Sequence, residues 1–147
     1  FVGTSAGYGF RTTIIDLHTK NKAGKSVVKI SPYAQVVQPK LIYDENSLIV
    51  AVSNEGRMLV FDISNVPKLA KGKGNKIINI PSARLKRGEE WVVDYAIVGQ
   101  GTSLLVYSGK RYLSLKYGDL EHYIGERGRR GHKLPRGFQR VDYLKSE

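Results

Sequence analysis

KLAKGKGNKIINIPS, residues 68–82, decides the fold class of this chain. Its first nine residues carry Lys68, Lys71, Lys73 and Lys76 with no acid among them, on a backbone loosened by Gly72 and Gly74. The apolar run Ile77, Ile78, Ile80 follows, closed by Pro81. Glycine leaves backbone N–H groups uncovered and permits conformations closed to other residues, so a loop of this kind can approach a polyanion closely. β-Branched residues bounded by glycine and proline read as a strand over 77–80. The stretch is therefore a cationic loop feeding a buried strand.

The same grammar recurs on either side. Upstream, the turn Ser5-Ala6-Gly7 precedes an apolar run at 10–15, then come Asp16-Leu17, a basic loop at 18–25, a strand-like run at 27–30 and an apolar stretch at 34–37 closed by Pro39. In the middle, 47–52 and 58–61 flank the turn Asn54-Glu55-Gly56. Downstream, 91–98 and 104–108 read as strands, Gly109 as a tight turn, 112–115 as the return strand and 141–144 as a last short strand after the glycine-rich basic run 127–136. Hairpin glycines thus recur at Gly7, Gly56 and Gly109, post-hairpin apolar positions at Leu17, Val66 and Leu120, and loop glycines at Gly24, Gly74 and Gly131. Their spacings are 49 and 53, 49 and 54, and 50 and 57 residues. A period near 50 built from four strand-like runs is the signature of a propeller-type blade, which buries its faces only against its neighbours. The expectation is an all-β single domain over 1–147, with approximate repeats 1–40, 41–90 and 91–147 and the basic loop at the same place in each. Repetition would set the three loops on one rim.

Charge supports that reading. The chain has 24 Lys and Arg against 13 Asp and Glu, a formal net charge of +11. Windows 20–29, 68–76 and 127–140 hold fourteen of those basic residues and none of the acids, which leaves the rest of the chain at a net −3. A merely solvated surface would intersperse the two signs. Concentrated positive charge points instead to a polyanion such as nucleic acid. Attachment to a membrane surface is disfavoured because the windows lack amphipathic helical periodicity, and no apolar run approaches the roughly 18 residues that a span requires. The chain opens on Phe1-Val2 in what reads as the middle of a strand, and is expected to be an excised piece.

Other chemistries are poorly supported. Ala23-Gly24-Lys25-Ser26 ends like a phosphate-binding P-loop, but Thr19 stands where that motif needs its first glycine. Gly7-Tyr8-Gly9 lacks the third glycine of a dinucleotide fingerprint. His18, His122 and His132 show no metal-ligand spacing, and there is no cysteine to supply a thiolate site or a disulfide. Tyr8, Tyr33, Tyr95 and Tyr107 read as half-buried packing and Trp91 as core.

The run 71–82, with Ala6-Gly7-Tyr8-Gly9-Phe10, Asn21-Lys22-Ala23-Gly24-Lys25, Gly56-Arg57-Met58-Leu59 and Gly125-Glu126-Arg127-Gly128-Arg129-Arg130-Gly131, closely resembles the carboxy-terminal domain of the A subunits of bacterial DNA topoisomerase IV, a relative of the gyrase domain. The resemblance spans nearly the whole chain. It implies a β-pinwheel, a propeller relative whose blades exchange strands and whose rim binds and bends duplex DNA. The parent enzyme would be a type IIA topoisomerase, an isomerase that decatenates chromosomes and relaxes supercoils at the expense of ATP. That enzyme works in the cytoplasm on the nucleoid, as a heterotetramer of two A subunits with the ATPase B subunits. ATP and Mg belong to the whole enzyme, and no cofactor is expected in this segment. Pinwheels of the family have five or six blades; about three four-stranded blades fit here, an incomplete wheel. The gyrase box close to Gln-Arg-Arg-Gly-Gly-Lys-Gly is absent, the nearest run being 126–131, so gyrase-style wrapping is not expected. Arg111-Tyr112 resembles in composition the cleaving tyrosine of such enzymes with its adjacent arginine, but it falls within the region that matches the non-catalytic domain, and no catalytic residue is assigned.

Cations that point at phosphates position DNA without reading bases. The candidate contacts are Lys22 and Lys25 in the first loop, Lys71, Lys73 and Lys76 in the second, and Arg127, Arg129, Arg130, Lys133, Arg136 and Arg140 in the third. Lys29 is expected to snorkel from a strand. The rival reading is a propeller-like platform for an acidic protein partner. It lacks the usual Trp-Asp signature, since Trp91 is the only tryptophan and Val92 follows it.

Overall fold

The structure, a computed structural model, describes residues 1–13 and 28–147. Within them the chain forms three antiparallel sheets, each built on a hairpin. The hairpins are β1 (Val2–Thr4) with β2 (Tyr8–Phe10), β4 (Leu48–Ser53) with β5 (Arg57–Asp62), and β8 (Ser103–Ser108) with β9 (Arg111–Lys116). The run LIVAVS of β4 is buried at every position, which is why its first five residues are continuously apolar and do not alternate. Its even positions, Leu48, Val50 and Val52, enter a core shared with Leu104, Val106, Leu115 and Leu144 of the third sheet. Its odd positions, Ile49 and Ala51, enter a second core with Phe1, Leu59, Ile77, Ile78 and Tyr95 on the side of the first sheet. The middle sheet is therefore sandwiched, and each such buried aliphatic side chain contributes about 1.5–3 kcal/mol.

A third strand closes each sheet on one side: β3 (Val36–Val37) beside β1, β7 (Val92–Val98) beside β4, and β11 (Tyr143–Ser146) beside β8. The fourth strand comes from the next unit along the chain. Residues that follow the second hairpin form β6 (Asn75–Lys76) on the edge of β2, and residues that follow the third hairpin form β10 (His132–Lys133) on the edge of β5. This is the strand exchange expected of a pinwheel. A glycine makes each crossing possible. Gly74 has φ +82°, and a Cβ there would lie 2.1 Å from the Gly9 carbonyl oxygen; Gly131 has φ +81°, with Met58 O at 2.6 Å. Immediately afterwards the Ile77 N–H donates to Gly7 O at 2.7 Å and the Leu134 N–H to Gly56 O at 2.8 Å. The third sheet has three strands among the described residues, and β9 is its edge.

Two residues of β7 tie the units together. The Tyr95 hydroxyl donates to the Thr4 carbonyl at 2.7 Å, and burial pushes its phenol pKa well up, so it remains a donor. Asp94 Oδ2 accepts the Leu144 N–H at 2.9 Å, and its Oδ1 pairs with Lys40 Nζ at 3.2 Å.

Several expectations are corrected. Residues 77–80 are not a strand. The N–H groups of Ile77 and Ile78 both converge on Gly7 O, in the turn that precedes β2, so the antiparallel chain runs off the sheet edge there and the isoleucines drop into the core. A short helix, α1 (Ser82–Lys86), follows them where no helix was read. The strand read as opening the third repeat, 91–98, pairs with β4 of the second sheet. Trp91 lies just before β7, is 38% exposed and is not core. Tyr33 is exposed at 66%, whereas Tyr95 is fully buried. Of the run 10–15, Phe10 ends β2 and Arg11 makes an isolated parallel bridge to Lys68, while residues 14 and 15 lie outside the described residues. Of 27–30, residue 27 lies outside the described residues, Val28 bridges Gly72 outside any strand, and Lys29 and Ile30 are exposed. The last strand starts at Tyr143 because the Val141 N–H is drawn to Asn54 O of the second hairpin.

These joints can be tested by urea denaturation. Gly74→Ala should destabilise the chain by about 3 kcal/mol or more, because strain and a backbone clash add. Gly101→Ala, at φ +85° but with nothing within 4 Å, should cost only about 1–2 kcal/mol.

Candidate nucleic-acid interface

The backward crossings decide where the cations lie. Window 68–76 ends in β6, the outermost strand of the first sheet, and window 127–140 contains β10, the outermost strand of the second. The third window is joined to the end of the second and to the residues just after it, by two guanidinium-to-carbonyl bonds and two backbone–backbone bonds. Arg127 Nη1 donates to Lys76 O at 3.0 Å, Gly128 N to Ile77 O at 2.8 Å, Asn79 N to Arg129 O at 2.9 Å, and Arg130 Nη1 to Asn79 O at 3.0 Å. Residues 127–130 therefore run alongside 76–79. The end of the first window reaches the same region, since the Lys29 N–H donates to Gly72 O at 2.8 Å. Segments far apart in sequence become one basic surface.

The candidate side chains fare differently within it. Lys71, Lys76, Arg127, Arg129, Lys133, Arg136 and Arg140 are exposed or partly so. Lys76 Nζ donates to Asn79 Oδ1 at 3.3 Å, which steadies it beside the joint. Lys73 is half-buried with its Nζ 4.1 Å from the centroid of the Tyr8 ring, a cation–π contact that holds the charge against β2. Arg129 pairs with Glu126 at 3.2 Å in the open. Arg130 is 31% exposed and bonds the buried Glu90 at 2.9 Å, so it serves the fold as well as the surface. Lys29 is exposed, and no strand runs through it. Lys22 and Lys25 lie outside the described residues. Sequence reasoning missed Lys86, which shares a groove with Tyr8, Tyr33, Lys73 and Lys76. The triplet Arg84-Leu85-Lys86 was its only signal, and without the helix nothing placed it near the second window.

The arrangement offers cations and backbone groups to a polyanion and little else. His122 and His132 are exposed, and among the described residues no three His, Cys, Asp or Glu side chains converge. The Asp62 carboxyl is held below its ordinary pKa chiefly by the Ser64 backbone N–H it accepts, with the Ser64 side chain next; it ends β5 as a cap and lies outside the basic windows.

Residues 1–42 and 47–97 match the family described as DNA gyrase C-terminal domain, beta-propeller. The DNA topoisomerase 4 A subunit of Pseudomonas aeruginosa is 52% identical over 144 residues, covering 97% of this chain and 19% of that protein. The Escherichia coli K12 protein of the same name is 43% identical over 141 residues, covering 96% and 19%. This chain thus spans about a fifth of these relatives. Among solved structures, the E. coli ParC C-terminal domain superposes with a TM-score of 0.84 at 38% identity, over 99% of this chain and 59% of that one. A second structure, the C-terminal domain of DNA topoisomerase IV, superposes with a TM-score of 0.77 at 14% identity, over 99% of this chain and 45% of that one, a likeness of fold.

The two neighbouring arginines separate in a stability measurement. Arg130→Ala should lower unfolding free energy by about 3 kcal/mol, because it strips a partner from a buried carboxylate. Arg129→Ala, whose ion pair is 73% and 79% exposed, should change it by less than about 0.5 kcal/mol.

Proposed function

The chain belongs to the DNA gyrase C-terminal domain family, and on that premise we propose that it is the duplex-binding domain of a topoisomerase IV A subunit. It is non-catalytic itself and acts within an ATP-dependent enzyme that decatenates and relaxes DNA in the bacterial cytoplasm, on the nucleoid. Its partners there are the ATPase B subunits and a second A subunit, while ATP and Mg serve parts of the enzyme beyond this segment. The observation that supports the reading is the joining of residues 127–130 to 76–79, which sets Lys76 beside Arg127, Arg129 and Arg130, with Lys71, Lys73 and Lys133 proposed as contacts on the adjoining edge segments. Arg136 and Arg140 are proposed as further contacts, and Lys22 and Lys25, which lie outside the described residues, are proposed from the sequence alone. A duplex held there lies against successive outer strands, bends with them, and is presented to the enzyme as a curved segment, which biases the crossings that are acted on.

Cations on phosphates act by releasing counterions. Duplex affinity, followed by fluorescence anisotropy, should fall steeply with salt, with a log–log slope of about 0.9 for each phosphate neutralised. A flat salt profile would overturn the proposal and favour an acidic protein partner. Changing Lys71, Lys73 and Lys76 together to Glu should weaken all duplex sequences alike and reduce the slope by about 3. A loss confined to particular sequences would mean base readout instead.

A further inference from the structure

Beside the basic surface lies an acid that charge counting would set against DNA binding. Glu90 is fully buried. A buried carboxylate is costly unless opposite charges meet it, and here they come from two separate segments. Arg130 Nη1, from window 127–140, donates to Glu90 Oε1 at 2.9 Å, and Arg84 Nε, from α1, pairs with the same oxygen at 3.2 Å. Among the described residues Oε2 has no hydrogen-bond partner. The Nη1 that reaches Glu90 also donates to Asn79 O at 3.0 Å, one of the bonds that lay 127–130 along 76–79. Its neighbour Glu89 is placed differently: its side chain is 40% exposed, pairs with Arg87 at the surface and more loosely with Arg84 at 3.9 Å, and does not meet Arg130.

We infer that Glu90 is a positioning residue for duplex binding: through Arg130 it holds residues 127–130 against 76–79, and so keeps Arg127 and Arg129 alongside Lys76. Without its charge, Arg84 still has Glu55 and Glu89, but Arg130 loses its one acidic partner among the described residues and turns to solvent, and the third window loses the anchor that registers it on the second. The sign of the effect is the opposite of what net charge gives. Removing an acid from a DNA-binding surface ordinarily tightens binding; removing this one weakens it.

The inference rests on the duplex-binding reading, and one salt series separates the two. Anisotropy of a fluorescent duplex of random sequence is followed for the unaltered chain, Glu90→Gln, Glu89→Gln, a double variant Arg127→Ala with Arg129→Ala, and the triple variant that adds Glu90→Gln. Absence of salt-dependent binding by the unaltered chain sinks the duplex reading itself. Given that binding, Glu90→Gln should weaken affinity about eightfold at 0.1 M salt for each phosphate no longer neutralised, and lower the slope by about 0.9 for each, roughly one to two in all. Glu89→Gln should bind equally or slightly more tightly. In the double variant, adding Glu90→Gln should cost little more, because the cations it positions are already gone. Glu90→Gln binding as tightly as the unaltered chain overturns the inference, as does a loss that multiplies fully with the double variant. Should Glu90→Gln not fold, Glu90→Asp, which keeps the charge but shortens its reach, replaces it. It should give a smaller loss in the same direction, and undiminished affinity and slope overturn the inference equally.

Discussion

Everything in this molecule hangs on two backbone carbonyls that leave no room for a side chain. At Gly74 and Gly131 the chain turns through positive φ and passes so close to Gly9 O and Met58 O that a Cβ would overlap them. The hairpin glycines meet the same chain from the other side, since a Cβ on Gly7 would lie 2.3 Å from Ile78 O and one on Gly56 2.2 Å from Phe138 O. Each crossing is a double contact of bare backbone on bare backbone. It lets a loop leave its own unit, add a strand to the preceding sheet, and send the next apolar residues into the core between them. Gly109, the corresponding turn of the third hairpin, has nothing within 4 Å, because no loop follows to cross onto it among the described residues.

That constraint has an electrostatic consequence. A loop that crosses backward becomes an edge strand of a sheet, so whatever charge it carries is displayed at that edge and withheld from the core. Successive crossings lie beside one another, and the bonds from Arg127, Gly128 and Arg130 join the third window to the second. An exposed edge strand invites pairing with another chain, and lysines on β6 and β10 also discourage that.

The interior answers with a few polar groups at the joints. Asp94 and Tyr95, adjacent on β7, point to opposite faces of the middle sheet, one to Leu144 of the third sheet and the other to Thr4 of the first. Glu90, just before that strand, gathers Arg84 and Arg130. Buried ionic groups contribute little to stability compared with apolar residues of like volume, and their value lies in specifying one arrangement. Here that arrangement is the mutual register of the units.

From the sequence alone came the three hairpins, the fold class and the basic windows, since each rests on local information: apolar runs bounded by glycine, a recurring period, and uninterrupted positive charge. Where a strand pairs is a different kind of fact. β7 joins the second sheet and β6 the first because of partners dozens of residues away, and the isoleucines after β6 have the composition of a strand yet fill a core because their edge has run out. Glu89 and Glu90 show the division most sharply. They are identical neighbours in sequence, and one is solvated while the other is sealed between two arginines. Burial and pairing are properties of what the folded chain brings from elsewhere, and only the tertiary structure supplies it.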